Sequence, residues 1–154
     1  MTFEKHQLTF LVIFDIIYHI DEKLEKYLMS ELKRDKIKYI RDRAKSAYVK
    51  DEECYICGAK EDLDFHHFFS VTALLDKWIK ERKLSINTAE DMMEMRDEFI
   101  EAHYDEIYNQ TVTLCHKHHL KLHSIYGKKP TLVTGPKQKG WVEKRRIKEY
   151  GLLE

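Results

Sequence analysis

NQTVTLCHKHHLKLHSIYG, residues 109–127, runs through two kinds of local pattern in succession. QTVTLC reads as a short strand, and HKHHLKLHSIYG reads as a helix closed by Gly127 in the position where helices stop. Cys115 stands at the junction. Within ten residues around it, LCHKHHLKLH places four histidines and this cysteine. Imidazole is costly to bury and weakly useful on a surface, so such a density points to metal or proton chemistry.

Working outward, residues 51–70 (DEECYICGAKEDLDFHHFFS) contain a second knuckle, Cys54 and Cys57 with Gly58 for the turn, followed by an apolar run that suits another strand. Cys115 and His118 repeat the two-residue spacing of Cys54 and Cys57. Together they make the four-ligand set that a closed tetrahedral zinc site requires, with His116 the alternative fourth ligand. An odd count of three cysteines, two in a knuckle and one among histidines, favours a metal over disulfides.

His119 and His123 lie four apart on the helix, so their rings share one face and can grip a single ion. His66 and His67 sit on the preceding strand, one able to join that ion and the other free for proton transfer. Asp64 shares the strand face of His66, while His67 points the other way. It can back His66, ligate in its own right, or stay solvated. His6, His19 and His103 have no such pattern and read as ordinary surface or core residues.

Charge is distributed unevenly although the formal total is zero. Residues 71–108 hold ten Asp and Glu against five Lys and Arg, whereas residues 109–150 hold ten Lys and Arg against two acids. A second basic stretch, KRDKIKYIRDRAKSAYVK, occupies residues 33–50. Two basic arms around a histidine cluster suit a polyanionic partner, because each phosphate contact releases counterions. Charge runs are also common as plain solvated faces. Trp78 and Trp141 both read as packing anchors ahead of base-stacking platforms. Trp141 is the exception to watch, because it lies among Lys137, Lys139, Lys144, Arg145, Arg146 and Lys148, and an aromatic within a basic segment can meet a polyanion.

The length of 154 residues fits one core with appendages. Residues 8–32 carry apolar side chains at helical spacing, with an all-round apolar first half that invites burial or dimerisation; a strand over residues 8–18 competes. Ile37, Ile40, Ala44 and Tyr48 mark a second amphipathic helix. The pattern of residues 71–108 is helical, capped at Asn87 or Thr88 in its second part, and reads as an insertion between the strands. Pro130, Gly135 and Pro136 read as a loop before a basic segment. The run at residues 8–20 is too short to span a bilayer, which takes about 20 apolar residues. It also lacks the features of a signal peptide, so a cytoplasmic location is expected, the host cytoplasm for a phage-encoded chain.

The series CYIC, LDFHHF and NQTVTLCHKHHLKLH resembles the HNH nuclease family, whose ββα-metal core is often wrapped by a zinc knuckle. The matching elements run from Cys54 to Gly127, with His118 where most zinc-bearing members have cysteine and with a long interval between His67 and Asn109. The resemblance implies an α+β, mostly helical fold: N-terminal helices over residues 1–50, a zinc-knuckle nuclease core over 51–127 with its insertion at 71–108, and a basic tail over 128–154. It implies His67 as general base and Asn109 as the residue orienting the loop and base. His66, His119 and His123 would hold one catalytic divalent ion, and Cys54, Cys57, Cys115 and His118 the structural zinc. The expected activity is hydrolysis of double-stranded DNA to a 5′-phosphate and a 3′-hydroxyl, with the ion stabilising the leaving oxygen. Three imidazoles are more nitrogen-rich than magnesium favours, so Mn²⁺, Ni²⁺, Co²⁺ or Zn²⁺ should bind more tightly even where Mg²⁺ is used. The competing reading is a non-catalytic zinc module that binds nucleic acid. Composition gives the chain a phage-like or mobile-element look.

Overall fold

A computed structural model describes residues 35–151 of the chain. The apolar run at residues 8–32, and with it the expected dimerising helix, lies outside the described residues, as do His6 and His19.

The first helix, α1 (Lys36–Ala44), buries Tyr39, Ile40 and Ala44, the inward stripe expected from its spacing. The knuckle follows as a turn. Gly58 adopts φ +69°, and its N–H closes the turn on the Cys54 carbonyl at 2.8 Å. A Cβ there would meet the Tyr150 ring at 2.7 Å, so glycine is required by conformation and by space alike. Strand β1 (Leu63–His67) pairs antiparallel with β2 (Thr111–Cys115), placing His66 opposite Val112 and His67 opposite Thr111.

Two helices lie between these strands. In α2 (Val71–Glu81) the Ser70 hydroxyl caps by accepting from the Ala73 N–H. In α3 (Ala89–Ala102) Thr88 and Asp91 form a reciprocal capping box, which settles the cap on Thr88. The helical stretch then ends in a π-helical turn, Asp105–Asn109, before β2. Helix α4 (His116–Tyr126) follows β2 directly and ends at Gly127 with φ +85°.

Residues 135–149 depart from expectation. Gly135 and Pro136 begin α5 (Gly135–Glu149) instead of forming part of a loop. Proline's fixed φ and missing N–H suit the first turn of a helix, where no intrahelical partner exists. Gly135 is buried where a Cβ would stand 2.6 Å from the Phe69 ring, so its small size brings the start of α5 onto the end of β1.

The described residues pack as two cores. Ile40, Leu75, Trp78, Met92, Phe99 and Ile107 join α1, α2, α3 and the π-helical turn. Ile56, Phe68, Leu114, Leu122 and Val142 join the knuckle, sheet, α4 and α5. Among the described residues the architecture is α+β and mostly helical, with one two-stranded sheet. No helix among the described residues is long and apolar enough to cross a membrane.

Candidate metal centres and the histidine cluster

The period of two along β1 sorts its side chains by face. Asp64 and His66 turn toward α4, where the His66 ring lies 5.2 Å from His119 and 5.3 Å from His123 by centroids. Phe65 and His67 turn the other way and both pack on Tyr48, at 4.7 and 5.2 Å.

Cys54, Cys57, Cys115 and His118 converge, with their ligand atoms within 4.8 Å of one another. The separations are 3.7 Å from Cys54 Sγ to His118 Nδ1, 3.2 Å from Cys115 Sγ to His118 Nδ1, and 3.9 Å between the Cys57 and Cys115 sulfurs. With Zn–S near 2.3 Å and Zn–N near 2.0 Å, a tetrahedral zinc has S···S edges of about 3.8 Å and S···N edges of about 3.5 Å. The cluster already has those dimensions, and all three thiols are free. Burial, aided by the neighbouring thiols, pushes Cys57 up to about 11. At Cys54 burial opposes ionisation, but backbone donors at Cys115, Cys57 and Ile56 outweigh it and lower the thiol. The outer nitrogen of His118, Nε2, donates to Glu149 of α5 at 2.8 Å. His116 is exposed and donates from Nδ1 to Asp64, so the alternative fourth ligand points away from the knuckle.

His66, His119 and His123 form a second group whose ligand atoms lie within 4.8 Å of one another. Each ring is held from behind. His123 Nδ1 donates to the Gly127 carbonyl at 2.7 Å, and His119 Nδ1 donates to Asp64 at 3.0 Å. Both rings therefore present bare Nε2 atoms, and these face each other at 3.0 Å. Two lone pairs at that distance repel unless a cation lies between them. His66 Nε2 donates to Gln138 Oε1 at 2.9 Å, which leaves its Nδ1 as the bare nitrogen.

The orientation of Gln138 is fixed by chemistry. Its amide nitrogen faces the Phe68 carbonyl at 3.3 Å and the Thr134 hydroxyl at 2.9 Å, and a carbonyl can only accept. The amide oxygen must then face His66. Gln138 is fully buried on α5, more than 70 residues along the chain, and no local pattern marked it. Asp64 backs His119 and His116 instead of His66, contrary to the pairing suggested by strand parity alone. Parity put Asp64 on the correct face, but α4 brings two imidazoles closer to it. Burial raises the Asp64 carboxyl, yet the bonds from His116 and His119 prevail and hold it below its ordinary value. Burial pushes His66 down to about 4 and also lowers His119.

His67 stands apart from this group. Its Nε2 donates to the Ile107 carbonyl at 2.9 Å. Burial, with a further push from the Arg41 charge, takes its pKa down to about 4, against the pull of that carbonyl. Ile107 lies in the π-helical turn, an irregularity of the kind found at functional sites. Asn109 does not touch His67. It donates to Asp105 at 3.0 Å, as does Gln110 at 3.1 Å, and the two bonds brace the turn that presents Ile107.

Trp78, Trp141, Arg145 and Arg146 each have structural partners. Trp78 is buried against Phe99 and His103. Trp141 packs on the knuckle core. Arg146 donates to the Tyr55 carbonyl at 2.8 Å and stacks on Tyr55, and Arg145 pairs with Glu149.

Among the described residues, the fold and these groups define an α+β protein with two clusters able to bind metal ions. The chain belongs to the phage T5 nicking endonuclease family, whose model matches residues 28–151. Membership makes it a DNA-cleaving endonuclease, a hydrolase. No solved structure matches the chain.

Proposed function

We propose that this nicking endonuclease works as a metal-dependent HNH enzyme, with β1, β2 and α4 serving as a ββα-metal core. His66, His119 and His123 hold one divalent ion, and Cys54, Cys57, Cys115 and His118 hold a structural zinc. The observation that carries the reading is the convergence of three imidazoles whose outer nitrogens are each engaged by a hydrogen-bond acceptor: Gln138, Asp64 and the Gly127 carbonyl. Such partners fix the tautomer and orientation of a ligating histidine.

When bound, the ion supplies Lewis-acid stabilisation of charge at the scissile phosphate. The donor set favours Mn²⁺, Ni²⁺, Co²⁺ or Zn²⁺ over Mg²⁺ in affinity. His67 takes the proton of the attacking water. Its Nε2–H is committed to Ile107, so the free lone pair is on Nδ1, and burial keeps the ring unprotonated at neutral pH. Asn109 acts at one remove, bracing the π-helical turn whose carbonyl sets that tautomer.

Cleavage of supercoiled plasmid by wild type and His67→Ala, with Mg²⁺, Mn²⁺, Ni²⁺ or EDTA, tests the reading. The expected result is metal-dependent nicked circles, reduced in the variant by about 10²–10⁴-fold, the usual worth of a general base. Undiminished cleavage by His67→Ala would remove the base assignment. DNA retention without cleavage under any metal would favour the zinc-dependent binding module.

A further inference from the structure

The two basic arms of the sequence, some 90 residues apart, meet in space. A cleft of about 760 Å³ lies between α1, the start of α2 and the turn after α4. Lys36 and Arg41 line it from the first arm, and Lys128 and Lys129 from the second; among the described residues Asp35 and Asp76 are its only acids. The α2 N-terminus, with its positive dipole end, opens onto the same space through Ser70 and Thr72. Thr72 accepts from Arg41 Nη2 at 3.4 Å, which holds the guanidinium at the wall.

The cleft lining is continuous along the chain with both sides of the histidine site. Ser70 and Thr72 of the lining follow His67 by three and five residues, and Arg41 is bonded to Thr72. Lys128 and Lys129 follow Gly127, whose carbonyl holds His123. Among the described residues the lining has no aromatic side chain on which a base could stack. Contacts of this kind position a nucleic acid through its backbone without reading sequence.

We propose that this cleft is where the phosphodiester backbone of the DNA strand beside the scissile bond is held, by Lys36, Arg41, Lys128 and Lys129. The inference rests on the nuclease reading above for the position of the scissile bond. It also assigns the DNA face to the cleft instead of the basic side of α5, where Arg145 and Arg146 are spent on protein partners.

The test is fluorescence anisotropy of a labelled duplex over a series of salt concentrations, without added divalent metal. It uses the zinc-containing full chain, Lys128→Ala/Lys129→Ala, and Lys144→Ala/Lys148→Ala as the control. All four lysines are exposed, so the variants spare the cores. The cleft pair should flatten the slope of log affinity against log salt by about 2, since each phosphate contact contributes about 0.9. The loss should be equal on duplexes of different sequence, and the control should keep the wild-type slope. A wild-type slope in the cleft variant, or a flattening only in the control, overturns the proposal. Plasmid cleavage by the same preparations separates the two readings. If wild type cuts nothing but the cleft pair still flattens the slope, the cleft stands and the nuclease chemistry falls; if wild type cuts and the slope does not change, only the cleft falls.

Discussion

The thiol-rich cluster and the histidine triad hang on the same β2–α4 junction, one residue apart at His118 and His119, yet their surroundings differ. Three of the four knuckle residues are buried, and four donors are the number that a closed tetrahedral zinc site takes. In the triad only His66 is buried, and three nitrogens leave coordination positions free. A closed set suits an ion that holds the fold, and an open set suits one that meets a substrate. Helix α5 serves both, placing Gln138 behind His66 and Glu149 behind His118.

Four perturbations test this contrast. The largest effect should come from Cys54→Ser. Losing a thiolate from a closed zinc site should cost several kcal/mol, lowering Tm by about 10 °C or more and deprotecting β1, β2 and α4 in hydrogen exchange. A wild-type melt after complete zinc removal would count against a structural role for the knuckle.

His119→Ala should act in the opposite sense: cleavage lost by at least about 10²-fold, with Tm nearly unchanged in protein lacking a triad ion. That substitution relieves the facing Nε2 lone pairs at 3.0 Å. A Tm drop as large as that of Cys54→Ser would show the triad to be structural too.

Gln138→Leu should weaken Mn²⁺ or Co²⁺ at the triad by about 10–100-fold in calorimetric titration, leaving zinc at the knuckle. It also strips the Phe68 carbonyl of a donor, at a cost of about 1–3 kcal/mol. Gln138→Glu restores the acceptor toward His66 and should recover metal affinity; failure to do so would reduce Gln138 to a packing residue.

Glu149→Gln should have the smallest effect. A weaker partner for His118 Nε2 should reduce zinc affinity about tenfold in chelator competition, with cleavage by the zinc-loaded protein unchanged. Equal weakening at both centres would mean that α5 acts as a rigid strap and not as two separate contacts.

The elements around the histidines could be read from the chain because their signals are local. The Cys-x-x-Cys turn with Gly58, the i, i+4 pair His119 and His123, and the alternation that sends His66 and His67 to opposite faces follow from backbone periods of a few residues. The Gly135–Pro136 pair was harder, since the same residues serve in loops and helix first turns, and Phe69 decides between them by contact. Arg145 and Arg146 counted toward the basic segment, because sequence counts charge without showing where a guanidinium points.

By itself, then, the sequence determined which atoms can be ligands: spacing along a strand or helix fixes which side chains stand together, whatever packs outside. Tertiary structure alone decided what stands behind those ligands and in front of them. Gln138, Glu149 and the choice of Asp64 for His119 depend on how α5 and α4 dock, and the Lys36–Arg41–Lys128–Lys129 cleft depends on how α1 and α2 pack. Such contacts join residues tens of positions apart through burial and hydrogen bonding, and no period along the chain records them.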